Sequence, residues 1–439
     1  MDRPNPLAVR QDPLWVRVSR EVEEAPFPQY RFEQKISMPF LGINGPGRAM
    51  LEAQWPFELQ NGIDIRREVM ETLRFLHGEN ADLVCADITQ IPEESVKPTH
   101  GFIGTSPCED FSVLYSGLNS DGGIEGSRGN LFMVQLQMIE RMAHNKTTSV
   151  QLKWVMLESC KGFLAQTKKG CAWDVVREWW STHMYDFTPL AVWEMQLLEC
   201  SSPNSRGRVI LVSFARSFME ATGASFPSKP KPHPAVSLED FLRNCNQHIT
   251  PSDITTKQYE NLQKWNEIFQ QRVAKLKYED METATSLLGI TDISRDPGKK
   301  FQANVRINEV PIFTTRNNHL AIMKLPNARS TKCVGLGRLL TMEERCEMLG
   351  VVPESLVGQS QFQTLKSLGG MFPVNMAGVA LREVMCLWEK YENKLLKIPP
   401  AIENQENQDA PIDSPPTPPC KRRKLECAKT LIDSPSPRR

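Results

Sequence analysis

The chain has 439 residues, enough for about two domains plus tails, with 40% hydrophobic and 24% charged residues, as in an ordinary globular protein. Lys plus Arg and Asp plus Glu balance at 52 each, which excludes a uniformly basic nucleic-acid coat and leaves such binding to a local patch. No apolar run reaches the roughly 20 residues of a bilayer span, and the eleven cysteines, scattered without a CxxC pair, argue against a disulfide framework or a metal site.

Free thiols suit a reducing compartment, the cytosol or nucleus. The opening MDRPNPLAVRQDPLW is polar and proline-broken, so no signal peptide is expected, and residues 1–35 read as an N-terminal extension. Next comes FLGINGPG (40–47), a Gly-rich turn between a short apolar stretch and the helical RAMLEA. Such a turn lets a ligand approach a helix N-terminus, although many strand-to-helix turns carry two glycines and bind nothing. NGIDIRRE (61–68) places Asp64 at a strand end, suited to accept from ribose hydroxyls. REVMETLRFLHG (67–78) has the period of an amphipathic helix. LVCADI (83–88) reads as a strand that ends at Asp87.

FIG (102–104) is the following strand, and GTSPCEDFS (104–112) leaves it as a loop stiffened by Pro107 and carrying Cys108. A helix is expected over LFMVQLQMIERMAH (131–144), then strands over WVMLES (154–159) and RVILVSFA (208–215). This alternation predicts an α/β, Rossmann-like doubly wound domain over 36–215, with a largely parallel sheet whose strand ends converge on one crevice. Cys108 is then either a small buried thiol or a nucleophile facing Glu158.

From 216 to 335 the pattern changes. FPSKPKPHP (226–234) is linker-like, and a helical run over 259–289 carries Lys264, Arg272, Lys275 and Lys277, a face for phosphates or simply for solvent. Fold signals return at LLTMEERCEMLG (339–350) and in a long amphipathic helix at 372–395, so 216–335 reads as an inserted smaller domain and 336–395 as the end of the first. Residues 396–439 are rich in Pro, Ser and Asn and are expected to be disordered. They hold Lys421-Arg422-Arg423-Lys424, a cluster of the nuclear-import kind or a solvated charge run, flanked by two IDSP copies with Ser414 and Ser434.

Taken in order over roughly 36–395, these motifs resemble the DNA cytosine-5 methyltransferase family, which uses S-adenosyl-L-methionine. FLGING resembles the FxGxGG cofactor turn, implying that Phe40, Gly42, Ile43, Asn44 and Gly45 line the cofactor site. Asp64 and Ile65 stand where the family holds the ribose, and Asp87 with Ile88 where it addresses the adenine. PCEDFS (107–112) is similar to the PCQxFS nucleophile loop, RGNLF (128–132) to RGxLF, ESCKGF (158–163) to ENVxGF and NSRGR (204–208) to QxRxR. LTMEERCEMLGVVP (340–353) and GGMFPVN (369–375), with Asn375, resemble the closing elements, and PIFTTR (311–316) the return to the core.

The resemblance implies a catalytic set of Cys108, Glu158, Arg206 and Arg208 and no metal. Residues 216–335 become a target-recognition domain and double-stranded DNA the partner; a monomer is expected, and the Lys421–Lys424 cluster, beyond the resemblance, adds an import receptor and the nucleus as location. The implied activity is that of a DNA (cytosine-5-)-methyltransferase. A weak or inactive DNA-binding relative and a tRNA-directed enzyme are the rivals, and the Cys-Phe-Thr tripeptide of the tRNA branch is absent. The chain departs from the family at Met38-Pro39, Glu109, Ser159-Cys160, Asn204 and Gly370. Of these, Glu109 is expected to raise the pKa of the neighbouring thiol.

Overall fold

A computed structural model of the chain describes residues 13–23, 26–111, 123–145, 147–167, 170–243, 249, 253–275, 287–298, 305–313, 319–324 and 337–397. Its first sheet grows from the apolar runs. In chain order the strands are β1 (Gln34–Pro39), β2 (Phe57–Asp64), β3 (Leu83–Cys85), β4 (Gly101–Gly104), β5 (Trp154–Ser159), β6 (Ala191–Gln196) and β7 (Gly207–Phe214). Every residue of β4 and β5 is buried, as central strands covered on both faces require. The spatial order is β3-β2-β1-β4-β5-β7-β6. Strands β1 to β5 pair in parallel, and β7 runs antiparallel to both β5 and β6. The order reverses between β1 and β4, which opens a crevice at their C-terminal ends.

Pro39 ends β1, where the register with β2 shifts between Ser37 and Pro39. A proline is tolerated there because the regular ladder stops. β3 is shorter than LVCADI suggests: the Asp87 carboxylate accepts from Thr89 N at 2.9 Å and turns Ile88–Gln90 into a 3-10 turn. β6 is an edge strand whose alternating burial gives no continuous apolar run.

The helices about this sheet are α1 (Leu14–Val22), α2 (Gly45–Glu52), α3 (Arg67–His77), α4 (Asn130–His144), α5 (Ala172–His183) and α6 (Arg216–Thr222). After them come α7 (Leu238–Phe241), α8 (Thr256–Val273), α9 (Met342–Met348), α10 (Gln361–Gly370) and α11 (Val374–Leu395). α11 packs against α1, α2 and α6. α1 belongs to the core: Trp15 is fully buried, donates to Glu52 Oε2 at 2.7 Å, and packs over Gly378 so closely that no Cβ would fit there.

A second, four-stranded antiparallel sheet has the order β11-β10-β8-β9, from β8 (Leu288–Asp292), β9 (Arg306–Ile307), β10 (Leu320–Lys324) and β11 (Arg338–Leu339). It has its own hydrophobic cluster, in which Leu262, Trp265, Phe269 and Val273 of α8 cover Ile293, Val305, Ala321 and Met323. The helical run expected over 259–289 thus ends at Val273, and Leu288-Gly289 already open β8. The sheet's last strand lies beyond residue 335. The motif Thr314-Thr315-Arg316, Lys277, Ser112 and the basic cluster of the tail lie outside the described residues.

The linker-like FPSKPKPHP is strapped to the core. His233 is buried between Ser201 Oγ (2.7 Å) and Ser19 Oγ (3.2 Å), and its backbone N–H donates to the Glu199 carbonyl. Burial, with Arg382 nearby, lowers the His233 pKa to about 4. The neutral ring therefore contributes stability that is complete above the ordinary histidine value and is lost as pH falls toward about 4. Between pH 7 and 5 the protein is expected to lose roughly 1–2 kcal/mol through this group. Melting curves at the two pH values should show a smaller drop for His233→Gln than for the natural chain.

Candidate active site

The Cys108 loop is placed from below by aromatic packing. Phe111, Phe132 and Phe163 come from the three motifs PCEDF, RGNLF and ESCKGF, and their rings meet at centroid distances of 6.2, 5.2 and 4.9 Å. The Asp110 carboxylate then accepts from Arg128 N (2.8 Å) and Gly129 N (2.9 Å), pinning the loop to the start of α4. Glu109 turns outward to Arg128 at 2.7 Å, with both side chains about half exposed. The neighbouring carboxylate is thus not what raises the thiol. The Cys108 pKa is pushed up by its hydrogen bond with Cys160 and by burial, with Arg208 opposing.

Glu158, at the end of β5, is 4% exposed and forms an ion pair with Arg208 Nε of β7. Cys108 lies within electrostatic reach of both, and Cys160 donates to the Cys108 carbonyl at 3.4 Å. Four side chains from β4, β5 and β7 therefore share one site: Cys108, Glu158, Cys160 and Arg208. Arg206 feels their charges, yet its side chain has another task. It is fully buried and donates to the Leu368 (2.9 Å) and Gly369 (3.0 Å) carbonyls, holding the end of α10. The family resemblance put Arg206 in the catalytic set; in the fold its guanidinium holds α10. A guanidinium fork suits two adjacent carbonyls as well as it suits a phosphate.

The crevice beside this site is built from the FLGING turn and Asp64. Gly42 has φ +53°, and its N–H donates to Asp64 Oδ2 at 2.6 Å. Arg66 N and the Arg66 guanidinium fix the same carboxylate at 2.9 and 3.1 Å. Ile65 next to it is 66% exposed, an apolar platform beside a buried carboxylate. A nucleoside needs both, a ring-covering surface and a hydroxyl acceptor, so S-adenosyl-L-methionine fits these residues. Phe40, also at positive φ, accepts through its carbonyl from Thr105 Oγ1 at 2.8 Å and ties this turn to the Cys108 loop.

Other expected cofactor residues have structural work. The Asn44 side chain caps α2, accepting from Gly47 N at 2.9 Å. Gly45 lets α2 approach the Phe372 carbonyl, with which any Cβ would overlap. Ile43 and Ile88 are buried in the core. Asp87 is exposed, with one oxygen engaged by Thr89. Asn375 is fully buried at the start of α11 and donates to the Ser201 carbonyl at 3.3 Å. At Gly370 a Cβ would meet nothing within 4 Å. Ser159 Oγ is buried without a partner among the described residues. Lys264 and Lys275 are exposed, whereas Arg272 donates to the Val305 carbonyl at 2.7 Å. Arg66 and Cys160 are the site residues the sequence did not single out as acting. Their only signals are a basic residue two places after Asp64 and a thiol two places after Glu158.

The family model for C-5 cytosine-specific DNA methylases matches residues 36–385, which is most of the chain. The chain belongs to this family. The type II methyltransferase M.FnuDI of Fusobacterium nucleatum is 25% identical over 217 residues, covering 49% of this chain and 57% of that relative, so the match spans little more than half of its length. Dnmt2 methyltransferase from S. pombe superposes with a TM-score of 0.50 at 14% identity, covering 80% of this chain and 98% of that one. A mutant DNMT2 from Spodoptera frugiperda gives the same TM-score and identity over 80% and 99%. At that identity the likeness is one of fold. Methylases of the family take their methyl group from S-adenosyl-L-methionine.

Two outcomes test the assignments. Arg206→Ala leaves two carbonyls unpaired in the core and is expected to cost about 2–4 kcal/mol in chemical denaturation. Glu109→Gln breaks only a half-exposed pair and should leave the pH dependence of Cys108 alkylation unchanged.

Proposed function

We propose that this protein methylates C5 of cytosine in double-stranded DNA. The observation that supports it best is the meeting of Cys108 with the buried Glu158–Arg208 pair at one end of β4, β5 and β7. Cytosine C5 is a poor nucleophile until something adds to the ring. In this reading the Cys108 sulfur, as thiolate, bonds to C6 and the electron pair of the C5–C6 double bond moves into the ring. Glu158, oriented by Arg208, faces N3 and the exocyclic amine, where it stabilises the charge that develops. Bound S-adenosyl-L-methionine supplies the methyl group to C5. Loss of the C5 proton then lets the C6–S bond break, returning Cys108. A stacked base cannot reach such a site, so the cytosine must be flipped out of the duplex.

DNA is preferred over tRNA because no Cys-Phe-Thr tripeptide occurs in the chain. The proposal extends to a monomer that enters the nucleus through an import receptor reading Lys421–Lys424. The exposed Lys264 and Lys275 would neutralise phosphates beside the target, each steepening the salt dependence of binding by about one unit.

The decisive experiment offers DNA carrying 5-fluorocytosine, on which the elimination step is blocked. With S-adenosyl-L-methionine present, the natural chain should form a complex that survives denaturation. Cys108→Ala should form none, and Glu158→Gln should slow methyl transfer to normal DNA by roughly a hundredfold or more. Methylation of tRNA with none of DNA would overturn the choice of substrate, and no adduct on either would overturn the activity.

A further inference from the structure

The strands β4 and β5 pair in parallel, with Gly104 opposite Leu157, so the loops that carry Cys108 and Cys160 leave the sheet side by side. The Cys160 Sγ lies 3.4 Å from the Cys108 carbonyl oxygen, and the two thiols are hydrogen-bonded to each other. Both are free, and each residue is only partly buried. The Arg208 guanidinium stabilises negative charge on either sulfur. Their hydrogen bond lowers the Cys160 pKa and raises that of Cys108, so the thiolate forms on Cys160 while Cys108 keeps its proton. That is the arrangement of a reactive thiol next to a resolving one.

We propose that Cys108 and Cys160 are an oxidative modification site, at which a hydroperoxide converts the nucleophile into a reversible Cys108–Cys160 disulfide. The Cys160 thiolate sulfur attacks one oxygen of hydrogen peroxide. The O–O bond breaks, the other oxygen leaves as water after taking a proton, and the attacking sulfur becomes a sulfenic acid. The neighbouring thiol attacks that sulfur, the S–O bond breaks, and the hydroxide leaves as a second water with the thiol's proton. The two thiols have lost two electrons and the peroxide has gained them. The bond withdraws Cys108 from ring attack while protecting the pair from oxidation beyond the sulfenic stage, which reductant does not reverse. The consequence for activity rests on the nucleophile assigned above; the bond itself does not.

The test treats the full chain with hydrogen peroxide, blocks remaining thiols and maps the peptides without reduction. The expected result is a linked peptide pair joining Cys108 to Cys160, with the loss of two hydrogen atoms from the intact mass. Trapping on 5-fluorocytosine DNA should be lost and should return with a thiol reductant. In Cys160→Val, or in Cys160→Ser should that chain fold better, the pair loses its reactive thiolate, and trapping on 5-fluorocytosine DNA should survive the same dose of peroxide. Natural chain with Cys108 oxidised and Cys160 still free, or with both thiols untouched, would overturn the proposal. A linked pair in a protein that never methylates DNA would uphold the bond and overturn the proposed activity, so the two failures are distinguishable.

Discussion

The buried ion pair between Glu158 and Arg208 is the constraint on which the site depends. Each charge taken alone out of water costs several kcal/mol, and the pair is tolerable only if the partners meet with good geometry. The antiparallel run of β7 provides this. Arg208 is the second residue of β7, yet it lies beside the last residues of β5, with Glu158 opposite Ile210 and Ser159 opposite Val209. In a wholly parallel sheet a residue at the start of a strand would sit at the far edge, away from the crevice. The reversed strand is therefore what delivers a guanidinium to the end of the sheet where Cys108 and Asp64 already are.

A second hub ties the outer sheet to the first. Glu344, fully buried in the LTMEE stretch, accepts from Arg338 of β11 at 2.6 and 2.9 Å, and from the backbone N–H groups of Arg243 (2.7 Å) and Thr341 (2.9 Å). One carboxylate thus joins the strap after α7, the last strand of the second sheet and the N-terminus of α9. Charge-assisted bonds to every lone pair are what make such burial stable. The adjacent Arg345 lies over the Phe313 ring at 5.7 Å. The family-like motif here serves construction, not chemistry.

Much of this was legible in the residues, for identifiable reasons. Strands β4, β5 and β7 are doubly covered, so their sequences are continuous apolar runs, and α11 has a long amphipathic period. Edge strand β6 hides because one face meets water, and α1 hides because its neighbourhood is proline-broken. The positions of Cys108, Glu158 and Asp64 at strand ends followed from topology. What their neighbours do did not, because each partner comes from far along the chain. Arg206 reaches Leu368, Glu109 reaches Arg128 and Asn375 reaches Ser201, choices made by packing that no local pattern encodes.

The junction of α1 with α11 bears on how the chain is made. Trp15 rests on Gly378, and Glu392 receives the backbone N–H groups of Arg31 and Phe32 at 2.7 and 2.6 Å. The first and last described segments are thus mutual supports, separated by more than 300 residues of chain. A ribosome emits about 5–20 residues per second, so the opening segment waits tens of seconds for its partner. Through that interval Trp15, Phe27 and Trp55 have one another to pack against, and the contact of Trp15 with Gly378 forms only once α11 emerges.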